Sequence, residues 1–102
     1  MGNKGRNAIT VASYSITVEF ASKGHAIILK GYSIDQALNF FQGEGLEDEE
    51  KDTIVQILMK GKSLDANLKE IIKRDGKTQI TLEFQTLEKM LKYMQIIETS
   101  LN

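Results

Sequence analysis

The chain has no cysteine, no proline and a single histidine, His25. Without cysteine there is no disulfide framework, no thiolate zinc or iron–sulfur site and no thiol nucleophile. One histidine cannot supply a multi-histidine metal site from a single chain. Without proline, the turns fall to Gly, Asn, Asp and Ser. No apolar run approaches the length of a membrane span, and the opening residues carry no apolar signal-peptide core. Arg6 stands where a myristoylation motif requires Ser or Thr. These absences set the expectation of a cytoplasmic protein with no cofactor, no metal and no membrane contact.

What is present reads as one domain. The 102 residues are too few for two independent cores. Apolar residues at 41% and charged residues at 26% fit a packed globular chain rather than a disordered one. The net charge of -1 gives no bulk field towards nucleic acid or an anionic membrane, so any such contact must rest on a local patch.

Residues 1–7 are small and polar and read as a flexible arm ahead of a single domain over 8–102. Residues 8–20 are rich in β-branched and aromatic side chains and read as a strand. Tyr14, Ile16, Val18 and Phe20 share one face of it, whereas Ile9 and Val11 fall on the other. One straight strand cannot bury both sets, so a bulge or break is expected near Ala12–Ser15, or the first half packs elsewhere. Ser22-Lys23-Gly24 is a turn signal, and His25–Gly31 follows as a second strand, expected to pair with the first as an antiparallel hairpin.

Ser33 and Gln36 have capping-box spacing, and Ile34, Ala37, Leu38 and Phe41 form a helical stripe ended by Gly43 and Gly45. Phe40 and Phe41 cannot face the same way. A second helix is expected over about 47–60, buried through Ile54, Val55, Ile57 and Leu58. Ser63 then opens a third helix carrying Leu64, Leu68, Ile71 and Ile72. Asp75-Gly76 turns the chain into a strand over 78–84, with Ile80, Leu82 and Phe84 on one face. Thr86 caps a last helix striped by Leu87, Met90, Leu91, Met94, Ile97 and Leu101, leaving Tyr93 off the stripe. The expected fold is α+β: a small antiparallel sheet of about three strands, in the order β-β-α-α-α-β-α, with helices packed on one face. Unpaired sheet edges in so small a sheet point to self-association through an edge.

Two internal echoes stand out. Lys30-Gly-Tyr-Ser-Ile-Asp35 resembles Lys60-Gly-Lys-Ser-Leu-Asp65, and Ile16-Thr-Val-Glu-Phe20 resembles Ile80-Thr-Leu-Glu-Phe84. Their offsets differ, which excludes a tandem duplication.

No catalytic constellation is visible. His25 lacks a marked nucleophile or base partner. Gly76-Lys77-Thr78 lacks the earlier glycine and the following helix of a phosphate-binding loop. The chain is therefore read as non-enzymatic. Its charge is segregated instead. Glu44, Glu47, Asp48, Glu49, Glu50 and Asp52 form an acidic block, whose plain reading is a helix first turn opposing the dipole. Its spacing does not match an EF-hand. Lys60, Lys62, Lys69, Lys73, Arg74 and Lys77 form a basic block, whose plain reading is a solvated helix face.

Three functions follow as expectations. The first is a small protein-binding module, a regulator, inhibitor or adaptor, using the acidic block or a sheet edge. The second is a nucleic-acid-binding regulator using the basic block with Lys4 and Arg6. The third is a structural subunit of a larger assembly such as a phage particle, its long first strand completing a neighbour's sheet.

Overall fold

The computed structural model describes residues 14–101. The arm over 1–7 with Lys4 and Arg6, the apolar pair Ile9 and Val11, and most of the expected break near Ala12–Ser15 lie outside the described residues. So does the side chain of Leu101.

The elements are β1 (Tyr14–Ala21), β2 (Ile27–Lys30), α1 (Ile34–Gln42), α2 (Asp48–Ser63), β3 (Asn67–Arg74), β4 (Lys77–Phe84) and α3 (Leu87–Leu101). The strands form one antiparallel sheet in the order β1-β4-β3-β2. The fold is α+β, with an antiparallel sheet and its helices on one face. It differs from the sequence expectation in one element: the segment read as a third helix is strand β3, which makes four strands.

The difference has a physical cause. Ser63 does not cap a new helix. It is the last residue of α2, and its hydroxyl donates to Lys60 O at 2.7 Å. Asp65 then takes a left-handed conformation, φ 59°, and turns the chain into β3. The register of β3 on β4 shifts between Leu68 and Glu70. This bulge places Leu68 opposite Leu82 and Ile71 opposite Ile80, so two residues three apart share the inner face. A bulged strand thereby carries the i, i+3 spacing of a helix.

β1 and β2 do not pair as a hairpin. They occupy opposite edges, and the tight hairpin is β3–β4. Asp75 (φ 56°) and Gly76 (φ 81°) both sit at positive φ between paired Arg74 and Lys77. That is the two-residue primed turn whose twist matches its strands, and an Asp-Gly sequence favours it. The segment after β1 instead arches across the end of this hairpin, with the Ser22 N–H donating to Gly76 O at 2.9 Å. The similar segments at Ile16 and Ile80 turn out to be neighbours: they pair antiparallel about Thr17 and Thr81, whose hydroxyls lie 2.9 Å apart.

The core lies between the inner sheet face and the helices. Ile27, Leu29, Ile71, Ile80, Leu82 and Phe84 meet Ile34, Ala37 and Phe41 of α1 and Ile54, Ile57 and Leu58 of α2. The Ser33–Gln36 capping box forms in both directions, at 3.1 and 2.9 Å. Thr86 accepts from the Lys89 N–H at 3.1 Å at the start of α3. Val55, expected in the core, is exposed. On α3 the stripe divides: Met90 and Ile97 pack against the core, Leu87, Leu91 and Met94 are exposed, and Tyr93, off the stripe, is fully buried with its hydroxyl donating to Ile57 O at 2.9 Å. Burial pushes the Tyr93 phenol far above its ordinary value. Phe41 enters the core, and Phe40 stands edge-on to both Phe41 and Tyr32.

Candidate functional site

The acidic block divides into two sets. Glu44 and Glu50 meet basic partners from other segments, Glu44 at the surface and Glu50 in the interior. Glu44 Oε1 lies 3.2 Å from His25 Nε2. Glu50 accepts from Lys73 Nζ at 2.6 Å, with side-chain exposures of 13% and 3%. Lys73 is on the inner face of β3, where the 22–26 segment crosses the end of the sheet. A Cβ on Gly24 would stand only 3.7 Å from Lys73 Nζ. Beside it the buried Thr78 hydroxyl donates to Ser22 Oγ at 2.8 Å. A charged amine placed on a core face requires a carboxylate partner, so the Lys73–Glu50 pair is structural.

Glu47, Asp48, Glu49 and Asp52 are exposed at the start of α2. Glu47 is the N-cap but makes no side-chain capping bond, so these carboxylates act on the helix through its dipole alone. Their neighbourhood is apolar. Leu38 and Phe41 of α1 with Val55 and Met59 of α2 line an open groove of about 190 Å³, whose wall also includes Gln42 and Lys51. Asp48 and Asp52 lie within one turn of Lys51 and Val55 on the same side of α2, so the acidic side chains border this groove.

The basic block is dispersed, because the segment expected to carry it as one helix is a hairpin. Lys60 and Lys62 are in the last turn of α2, where they favour the dipole. Lys62 pairs with Asp35 at 2.6 Å. Lys69 pairs with Glu83 at 3.6 Å, and Lys77 with Glu19 at 3.7 Å. Lys73 is in the core, and Arg74 is at the turn beside Asp75. No single face gathers these cations. The outer sheet face is open to solvent through Thr17, Glu19, Gln79 and Thr81, apart from the Ile28–Ile72 pair, of which Ile28 is exposed.

Sequence reasoning found the acidic residues but not the groove. The signal was available in part: Val55 and Met59 are four apart and sit outside the Ile54, Ile57, Leu58 stripe. Among the described residues, no group of three His, Asp or Glu side chains converges to hold a metal, and no helix is long and apolar enough to cross a membrane. Geometry thus defines an α+β domain with an acidic-rimmed apolar groove between two helices. Compared with protein-family models, curated proteins and solved structures, the chain matches none.

Proposed function

We propose that this chain is a protein-binding module that acts by stoichiometric contact, and that the groove between α1 and α2 is where its partner docks. The supporting observation is that exposed Val55 and Met59 share one side of α2 with the exposed carboxylates of Asp48 and Asp52. An apolar groove takes the apolar face of a helix or extended segment. The acidic border selects a basic one, speeds its encounter and excludes acidic competitors. The partner chemistry is therefore an amphipathic, lysine- or arginine-rich protein segment.

Capture of a protein partner from cell lysate tests this with two variants. Met59→Asp places a charge in the groove, and simultaneous Lys substitution of Asp48 and Asp52 reverses the border. Both changes are on exposed positions, so circular dichroism should be unchanged. The expected result is a partner held one-to-one by the wild type, weakened by salt and lost with either variant. A partner held equally by all three proteins removes the groove from the reading.

A further inference from the structure

β1 forms one edge of the sheet, and among the described residues no strand pairs with its outer side. One bond fixes where its backbone groups point. The Ser22 N–H donates to Gly76 O, continuing the register in which Ala21 faces Lys77. Hydrogen-bonded and non-hydrogen-bonded pairs alternate along an antiparallel ladder. Tyr14, Ile16, Val18 and Phe20 therefore bond to β4. Ser15, Thr17, Glu19 and Ala21 aim their N–H and C=O groups at the open edge. The close Thr17–Thr81 hydroxyl contact fits the narrower spacing of a non-hydrogen-bonded pair.

Natural sheets blunt such edges with proline, a bulge, an inward-pointing charge or short length. The other edge, β2, is short, with 4 residues. β1 has 8 residues, pairs with β4 without a register shift and turns only Tyr14, Ile16, Val18 and Phe20 to the inner face. Its sequence also suits a copy of itself. On one side, Tyr14 to Val18 already pair antiparallel with Phe84 to Ile80, a segment whose sequence nearly copies Phe20 to Ile16. A second β1 on the other side, centred on Thr17, sets Ile16 against Val18, Tyr14 against Phe20 and Ser15 against Glu19. No like charges meet across that join.

The helix layer supplies the apolar cover. On α3, Lys89 reaches Asp65 after α2 at 2.8 Å and Tyr93 reaches Ile57 O on α2. The flank turned away from α2 carries Leu87, Leu91 and Met94, which are 47%, 52% and 40% exposed. α3 packs over β1 and β4 while α2 packs over β3, so this flank overhangs the open edge.

We propose that the chain forms a two-fold dimer through β1, in which two sheets join into one and the Leu87, Leu91 and Met94 flanks of both α3 helices pack over the join. An axis perpendicular to the sheet at Thr17 keeps both helix layers on one side and makes the interface isologous. The surface is remote from the α1/α2 groove and stands independently of the function proposed for it.

Sedimentation of the full chain tests the dimer with three variants at exposed positions. Thr17→Lys and Thr17→Glu each place like charges across the axis, and Leu91→Glu charges the overhanging flank. The expected result is a wild-type dimer, a monomer for each variant alone, and recovery of the dimer when Thr17→Lys and Thr17→Glu are mixed in equal amounts. Unchanged circular dichroism shows that the variants fold. A wild type that sediments as a monomer overturns the proposal, as does a dimer indifferent to these charges. A monomer whose Thr17 and Glu19 amides resist hydrogen exchange overturns it too, and assigns the edge to residues 1–13 of the same chain.

Discussion

Lys73 and Glu50 show how one residue's chemistry is set by the face it occupies. Lys73 follows the inward alternation of β3 after the bulge and brings an ammonium group into the core. Its partner comes from the first turn of α2. Removing one member of a buried pair leaves an uncompensated charge, which costs about 3–5 kcal/mol, whereas replacing both with apolar groups is often neutral. Glu50→Gln is therefore expected to lower the urea unfolding free energy by about 2–4 kcal/mol, slightly less than a fully buried pair because Glu50 keeps some solvent contact. The double variant Lys73→Met with Glu50→Leu is expected to recover most of that loss. Tyr93 gives a pH prediction. Below about pH 10 the phenol is neutral in both folded and unfolded chains, and its bond to Ile57 O contributes about 1 kcal/mol. Above that pH the unfolded chain ionises while the buried phenol stays neutral, so the unfolded state gains. The contribution thus falls by up to about 1.4 kcal/mol per pH unit. Urea titrations of wild type and Tyr93→Phe should show a gap near neutral pH that narrows as pH rises past about 10.

At the scale of elements, the close approach of α2 to the sheet depends on Gly61. A Cβ there would lie 2.8 Å from Leu82 Cδ1, so the fully buried Leu82 side chain would have to shift within the core. Alanine would gain about 1 kcal/mol in helix propensity, but overpacking a filled core costs about 1–3 kcal/mol. The packing cost should win, so Gly61→Ala is expected to lower the melting temperature, and adding Leu82→Val should restore part of it. A stabilised Gly61→Ala would mean that Leu82 repacks freely. The elements also show what could be read from sequence. The Ser33–Gln36 box, the acidic start of α2, the Asp75-Gly76 turn and the Thr86 cap are local signals, and each forms where its spacing indicates. β3 was misread because its bulge gives an inner face with helical spacing. The stripe on α3 is only half buried, through Met90 and Ile97, because apolar periodicity marks a face without saying what covers it. There the core took Tyr93, which found a carbonyl for its hydroxyl, and left Leu91 and Met94 outside.

Across the whole molecule, the two open surfaces lie on opposite flanks of the helix layer. The acidic-rimmed groove is on the α1/α2 side, and the β1 edge with its apolar overhang is beyond α3. A module that self-associates through one flank could present two copies of the groove on the other, which would strengthen binding to a repeated or paired partner. The acidic candidates were legible in the sequence, but the separation of Glu44 and Glu50 from Glu47, Asp48, Glu49 and Asp52 was not. That division depends on His25 and Lys73 arriving from distant segments. By itself the sequence determined the α+β class, the one-sided helix layer, the Ser33 and Thr86 caps and the Asp75-Gly76 turn, because each rests on residues a few positions apart. Only the tertiary structure decided that β1 and β2 go to opposite edges, that β1 pairs with its echo in β4, and that the basic block scatters. Strand pairing and side-chain burial are settled by competition among distant segments for one core, and no local spacing encodes the outcome.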